Sequence, residues 1–191
     1  AKAVYEIGAS RNHARMITEL GIMYADEENT DFFNFSKANE LYKRAASLDD
    51  KEAWNNLGFH YQNGYGFAQN TQKAIEAYTQ AGNLGNGLGW TNLGDLYFFG
   101  KLVPLDYDKA LEYYKKAEKS FYFNDDKLAE IYYSRAEFDK LLLILKKDKQ
   151  EEFSPIYYAL MYEEGFGKLK INLKKAIAYY EKAMKIQEYP H

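Results

Sequence analysis

Residues 52–61 read Glu-Ala-Trp-Asn-Asn-Leu-Gly-Phe-His-Tyr, and residues 88–97 read Leu-Gly-Trp-Thr-Asn-Leu-Gly-Asp-Leu-Tyr. Both stretches place a small residue three positions before a tyrosine, and the same pair recurs elsewhere in the chain. The small residues of these pairs are Gly21, Gly58, Gly94, Ala129 and Ala159. They are separated by 37, 36, 35 and 30 residues, a period typical of helical repeats. The chain is therefore predicted to be an array of about five repeated units.

A second pattern follows the first and completes each unit. Its Lys-Ala pair is followed at spacings of four and three by tyrosine and alanine, which places these residues on one helix face. Asparagine or aspartate stands four positions before the first alanine and is predicted to cap this second helix. The capping residues are Asn34, Asn70, Asp106 and Asn172. Glycines suited to ending the first helix lie between the two patterns, at Gly64, Gly66, Gly100, Gly165 and Gly167.

This order of motifs resembles the Sel-one-like repeat branch of the tetratricopeptide repeat superfamily. The resemblance implies an all-α, right-handed superhelical solenoid of antiparallel helix hairpins. We expect one domain over 1–191, in which residues 1–10 are the remnant of a preceding helix and the natural protein extends further upstream. The expected repeats are approximately 11–50, 51–86, 87–121, 122–151 and 152–191. The five first-helix tyrosines, three positions after each small residue, are expected to fill the core between helices.

Two units depart from the family pattern. In the first, acidic and aromatic residues between Asp26 and Phe35 replace the glycine loop. In the fourth, Leu141 and Leu145 replace the alanine and tyrosine, and the connection at 134–137 is short and lacks glycine. We expect an ordinary tetratricopeptide hairpin there, with a local change in curvature. Leu143 stands where other units carry glutamate, which indicates either tighter packing against the fifth unit, the interpretation we favour, or a contact between chains.

The resemblance implies a binding function, because in the superfamily the first helices line a concave groove. In the present chain, first-helix register assigns the groove to Asn55, Asn56, Phe59, Asn63, Thr91, Asn92, Asp95, Phe98, Phe99, Asp126, Glu130, Tyr133, Tyr157 and Glu163. Asn56 and Asn92 share a column, and their amides either hydrogen-bond an extended peptide or are simply solvated. Aromatic residues mixed with carboxylates suit a partner segment with apolar and Lys or Arg side chains, although the acids could equally just solvate a helix face.

Composition argues against several other functions. A net charge of −3 disfavours a nucleic-acid binder, and the absence of cysteine excludes thiolate chemistry. The three histidines lack metal-ligand spacing, so neither a metal nor another cofactor is expected; His60 is expected to be a packed or partly exposed helix residue. No apolar stretch reaches the roughly 18 residues of a membrane span, so we expect a soluble protein, cytoplasmic or exported in a bacterium.

The interpretation that follows is a non-enzymatic adaptor for another protein or peptide. Two alternatives remain open at this stage. One is a β-lactam- or cell-wall-related hydrolase, as some Sel-one-like proteins are linked to such chemistry, although the chain lacks a Ser-x-x-Lys motif. The other is a purely structural assembly scaffold.

Overall fold

The computed structural model describes residues 1–28, 33–117, 125–149 and 152–188, except for the side chains of residues 187 and 188. Within these ranges the chain forms helices and no strand, which confirms the all-α prediction. The helices are α1 (Lys2–Ser10), α2 (Ala14–Ala25), α3 (Phe35–Ala46), α4 (Lys51–Asn63), α5 (Thr71–Asn83), α6 (Gly87–Phe99), α7 (Tyr107–Ala117), α8 (Asp125–Ser134), α9 (Phe138–Leu145), α10 (Ser154–Glu164) and α11 (Leu173–Glu188). None of these helices is long and apolar enough to cross a membrane.

The chain divides into two compact units, Ala1–Phe123 and Asn124–His191. In the first unit α2 pairs with α3, α4 with α5, and α6 with α7; in the second, α8 pairs with α9 and α10 with α11. The predicted hairpins are therefore present. Part of the loop of the first repeat (29–32) and the predicted repeat boundaries near 121 and 151 lie outside the described residues. The assignment of the whole chain to a single domain stays a prediction.

Glycine in the first helix and tyrosine in the second helix form the recurring core contact. The rings of Tyr42, Tyr78 and Tyr114 are almost completely buried. A Cβ atom at the facing glycine would lie only 2.3 to 2.6 Å from these rings, at Gly21, Gly58 and Gly94. The small residue is therefore required because the ring occupies the space of a side chain.

The first-helix tyrosines are less buried than the sequence predicts. Tyr24 and Tyr132 are buried, but Tyr61, Tyr97 and Tyr162 are only half-buried, which corrects the expectation that all five fill the core. In all five hairpins, a lysine of the second helix lies over one face of this ring, whether the ring is buried or half-buried. The ammonium-to-ring distances are 4.6 to 5.6 Å, for Lys37 over Tyr24, Lys73 over Tyr61, Lys109 over Tyr97, Lys140 over Tyr132 and Lys175 over Tyr162.

The predicted helix caps are confirmed. The side chains of Asn34, Asn70, Asp106 and Asn172 each accept a hydrogen bond from the backbone N–H three residues later, at 2.9 to 3.1 Å. The backbone N–H of the same residue donates to the carbonyl of the first-helix tyrosine at 2.7 to 2.9 Å, which closes the inter-helix loop. The first helices end at left-handed glycines, namely Gly64, Gly100 and Gly165.

The glycine-free connection of the fourth hairpin uses an alanine in the left-handed region. Ala136 has φ of 56°, in the short turn between α8 and α9. Leu141 and Leu145 are buried in place of the usual alanine and tyrosine. Leu143 is 64% exposed, so the interpretation that it packs tightly against the fifth repeat is wrong.

Candidate functional site

An open pocket of about 490 Å³ lies in the first unit, between α4, α6 and the connections that follow them. Its apolar walls are Phe59, Leu96, Phe99 and Leu102. Polar groups complete the lining, and they belong to Gln62, Asn63, Gln69, Tyr78, Asn92, Asp95 and Lys101. A pocket of this size, apolar on some sides and amide-lined on others, is suited to binding part of a ligand by both burial and hydrogen bonding.

Equivalent positions of two neighbouring repeats contribute to this pocket. Helices α4 and α6 are the first helices of neighbouring hairpins and contact each other. Residues one and five positions after the small glycine lie away from its tyrosine contact, and they contribute Phe59 and Asn63 from α4, and Asp95 and Phe99 from α6. Phe59 is 47% exposed and Phe99 is 53% exposed, so both rings offer apolar surface to a ligand.

Two buried tyrosines of the second helices donate their hydroxyl groups to residues that line this pocket. Tyr78 donates to Oε1 of Gln62 at 2.8 Å, and Tyr114 donates to Oδ1 of Asp95 at 2.6 Å. Burial raises the pKa of the Tyr78 phenol, and the nearby charge of Asp95 raises it further. The Tyr78 hydroxyl therefore remains a hydrogen-bond donor at neutral pH, and it fixes the side chain of Gln62 at the pocket wall.

Backbone carbonyls hold two further amides of the pocket. Gln69 donates to the carbonyl of Gln62 at 2.8 Å, which ties the connection after α4 to the helix. Asn63 donates to the carbonyl of Phe59, also at 2.8 Å. These bonds fix the amide groups relative to the exposed phenylalanine rings.

Asn92 forms an amide pair across the two helices, but not with the residue that the column pattern suggests. Its Nδ2 donates to Oδ1 of Asn55 at 2.9 Å, and both residues are half-buried. Asn56, the residue predicted to act together with Asn92, is also half-buried, and neither Asn55 nor Asn56 lines the pocket. The structure thus brings together Asn55 and Asn92 from adjacent repeats.

Two of the predicted groove residues in the first unit belong to the core. Thr91 is 7% exposed, and its hydroxyl donates to the carbonyl of Gly87 at 3.2 Å. Phe98 is 6% exposed and packs its ring against Tyr107 and Tyr114. An aromatic ring at this position is more stable beneath its neighbours than in water, whereas Gln62 at the equivalent position of α4 stays at the surface.

The predicted residues of the second unit form an acidic and aromatic surface. Asp126, Glu130 and Glu163 are exposed, and the rings of Tyr133 and Tyr157 lie 5.7 Å apart. Burial raises the pKa of Tyr157, and the charges of Glu130 and Asp126 add to this effect. Glu163 also accepts a hydrogen bond of 2.6 Å from Tyr180, which raises the pKa of that tyrosine to about 12.

Sequence reasoning missed several contributors to the pocket, including Gln69, Lys101, Leu102 and the hydroxyl of Tyr78. The first three lie in connections, where helical register gives no direction. Their common signal is their position shortly after a left-handed glycine, Gly64 or Gly100. The repeat pattern places the Tyr78 ring on one face of its helix, but it does not describe what the hydroxyl group contacts.

The described residues contain no cluster of three or more histidine or acidic side chains that could hold a metal. His60 is buried, and its Nδ1 lies 2.6 Å from Oδ1 of Asn39. Burial lowers the pKa of His60 to about 4. This histidine is therefore a packed residue, as its position in α4 predicts.

Successive antiparallel helix hairpins define a helical-repeat protein. More specifically, the chain belongs to the Sel1 repeat family, whose model matches residues 17–50, 52–86, 91–120 and 156–185. The predicted fourth repeat, 122–151, lies between the matches at 91–120 and 156–185. Sel1 repeats generally serve as protein-interaction scaffolds.

Solved structures show the same fold. The protective antigen c5321 of uropathogenic Escherichia coli, which displays an SLR fold, superposes with a TM-score of 0.78 at 22% identity. That match covers 95% of this chain but only 40% of the antigen. A Sel1 repeat protein from Oxalobacter formigenes gives a TM-score of 0.72 at 20% identity, covering 96% of this chain and 78% of that one. The solenoid prediction is confirmed. No curated protein matches the chain by sequence.

Proposed function

We propose that this protein is a non-enzymatic adaptor that binds an extended segment of another protein on the first helices of its repeats. The observation that carries the proposal is the pocket between α4 and α6. It combines two exposed phenylalanine rings with amides held by hydrogen bonds to the chain. Such a surface can bury an apolar side chain and hydrogen-bond a peptide backbone together, which is how proteins recognise extended segments.

The acidic surface of the second unit supports a preference for basic partners. Asp126, Glu130 and Glu163 lie on first helices beside Tyr133 and Tyr157. Carboxylates at this density accelerate the capture of Lys- or Arg-containing segments and discriminate against acidic ones. We expect this contribution to weaken as salt is added, since exposed charges are screened over about 8 Å at physiological ionic strength.

The proposal is tested by selecting peptides from a random displayed library on the immobilised full chain. Peptides enriched on the wild type are then measured by calorimetry against an Asn92→Ala/Phe99→Ala variant. Leu48→Ala is the matched control, because Leu48 is exposed in the same unit but outside the pocket. We expect at least a tenfold loss of affinity in the double variant and none in the control. Equal affinities for all three proteins, or no enrichment, would refute the proposal.

A further inference from the structure

We infer that the pocket between α4 and α6 receives one uncharged aromatic or long aliphatic side chain of a bound segment, whose adjacent peptide group hydrogen-bonds to Asn92. This inference rests on the proposed function and makes it more specific. It concerns the first unit alone and differs from the preference for basic segments proposed for the second unit. The argument uses the walls, the charges and the amides of the pocket in turn.

The walls favour an apolar occupant. Phe59 and Phe99 come from neighbouring repeats and both line the pocket, although each leaves about half of its surface in water. Leu96 and Leu102 extend the apolar lining. A volume of about 490 Å³ accommodates a large side chain together with its peptide groups. An aromatic or long aliphatic guest would cover both rings and remove apolar surface from water on both partners.

The charges of the pocket disfavour an ionic occupant. The lining contains one carboxylate, Asp95, and one ammonium group, Lys101. Lys101 lies 5.7 Å from the centre of the Phe99 ring, so the chain supplies its own cation to that ring. Asp95 accepts a hydrogen bond from Tyr114. Because Asp95 and Lys101 carry charges of opposite sign, a charged side chain would lose its hydration in the pocket without a net Coulombic gain. An uncharged side chain avoids that desolvation cost.

The amide pair supplies the backbone contact. The hydrogen bond from Asn92 to Asn55 uses one donor of Asn92 and orients both side chains. A primary amide carries two donors and one acceptor oxygen with two lone pairs. Asn92 lines the pocket and Asn55 does not, so Asn55 orients the amide and the oxygen of Asn92 retains capacity for the N–H of a peptide group. A recognition of this kind is independent of the guest's side chain, so the apolar walls determine specificity.

The experiment uses N-acetylated amino-acid amides as minimal probes, each carrying one side chain between two peptide groups. The tryptophan, leucine, arginine and glutamate derivatives are titrated into the ¹⁵N-labelled chain and followed by NMR. We expect saturable shifts at Phe59, Asn63, Asn92 and Phe99 with the tryptophan and leucine probes. The arginine and glutamate probes should bind at least tenfold more weakly. Equal or tighter binding of a charged probe, or shifts confined to other residues, would overturn the inference.

Two pocket variants and one control outside the pocket sharpen the result. Phe99→Ser should weaken the tryptophan probe at least tenfold, while Leu48→Ser, an exposed apolar residue outside the pocket, should leave it unchanged. Lys101→Gln removes the internal cation and should strengthen the arginine probe severalfold without strengthening the tryptophan probe. An arginine affinity that does not respond to Lys101→Gln would refute the charge argument. Library peptides that bind through a basic residue in this pocket would refute the inference but leave the proposed function intact.

Discussion

The contact between Gly94 and Tyr114 leaves no room for a side chain on the first helix. A Cβ atom at Gly94 would lie 2.3 Å from the buried Tyr114 ring. Alanine is intrinsically better than glycine in a helix by up to about 1 kcal/mol. We nevertheless expect Gly94→Ala to destabilise the protein by about 1 to 3 kcal/mol, because overpacking outweighs that gain. Chemical denaturation checks the value, and the same substitution in a Tyr114→Ala background should be neutral or stabilising.

Ala136 offers the opposite case, a position where glycine should be better than the natural residue. Its φ of 56° lies in the left-handed region, which costs an alanine about 1 kcal/mol. Ala136→Gly should therefore raise the thermal midpoint, corresponding to a gain of about 0.5 to 1 kcal/mol. The matched control is Ala178→Gly at an exposed position inside α11, where glycine should lose a similar amount. A loss at both positions would contradict the strain argument.

His60 makes stability dependent on pH. Burial lowers its pKa from 6.5 to about 4, and its ring is surrounded by Phe35, Tyr42, Phe59 and Tyr65. Below pH 6.5 the unfolded chain binds a proton at this site that the folded chain does not bind until about pH 4. The free energy of unfolding should therefore fall with decreasing pH in this window, by at most about 1.4 kcal/mol per pH unit.

The measurement is urea denaturation between pH 7 and pH 4 for the wild type and His60→Gln. Glutamine keeps a hydrogen-bonding group next to Asn39 but does not titrate. We expect a shallower pH dependence in the variant, even if its stability at pH 7 is lower. Parallel profiles for the two proteins would show that another group causes the acid sensitivity.

Four second helices, α3, α5, α7 and α11, follow a residue that both caps the helix and closes the preceding loop. In α5 the side chain of Asn70 accepts from the N–H of Lys73, and its own N–H donates to the carbonyl of Tyr61. Asn70→Ala removes only the first bond and should cost about 1 kcal/mol. Asn83→Ala at the exposed end of the same helix is the control and should change stability by a few tenths of a kcal/mol. Equal denaturation midpoints for the two variants would contradict the capping role.

The ends of the helices were predictable because the residues that start and stop a helix act locally. A cap such as Asn70 or a stop such as Gly64 depends on residues within one turn, so the sequence contains the whole cause. The burial of the first-helix tyrosines was not predictable in this way. Lys73 approaches Tyr61 from the other helix and lies over one ring face, as Lys37 does at Tyr24, yet Tyr24 is buried and Tyr61 is half-buried. Such coverage depends on how two elements pack, and periodicity within one helix does not describe it.

The candidate site was partly predictable for the same reason. Helical register correctly placed Phe59 and Phe99 on the exposed face of consecutive first helices. Helical register also assigned Phe98 to the groove, and this prediction was wrong because Phe98 is buried. Phe98 and Phe99 fit an apolar pattern equally well, and only the rings that pack against Phe98 distinguish them. The connections contribute Gln69 and Leu102, whose positions depend on loop conformation and not on a repeating angle.

At the scale of the whole molecule, a repeat array should transmit damage only to neighbouring elements, because consecutive helices supply its main contacts. Leu93 in α6 is fully buried in a cluster with Ala74, Tyr78 and Leu96. Leu93→Ala should cost about 2 to 5 kcal/mol locally through the cavity that it leaves. Hydrogen exchange followed by mass spectrometry should then show faster exchange in α5, α6 and α7, with α1 and α2 unchanged under native conditions. An equal acceleration in all five helices would show instead that the first unit opens as one cooperative body, and the nearest-neighbour description would fail.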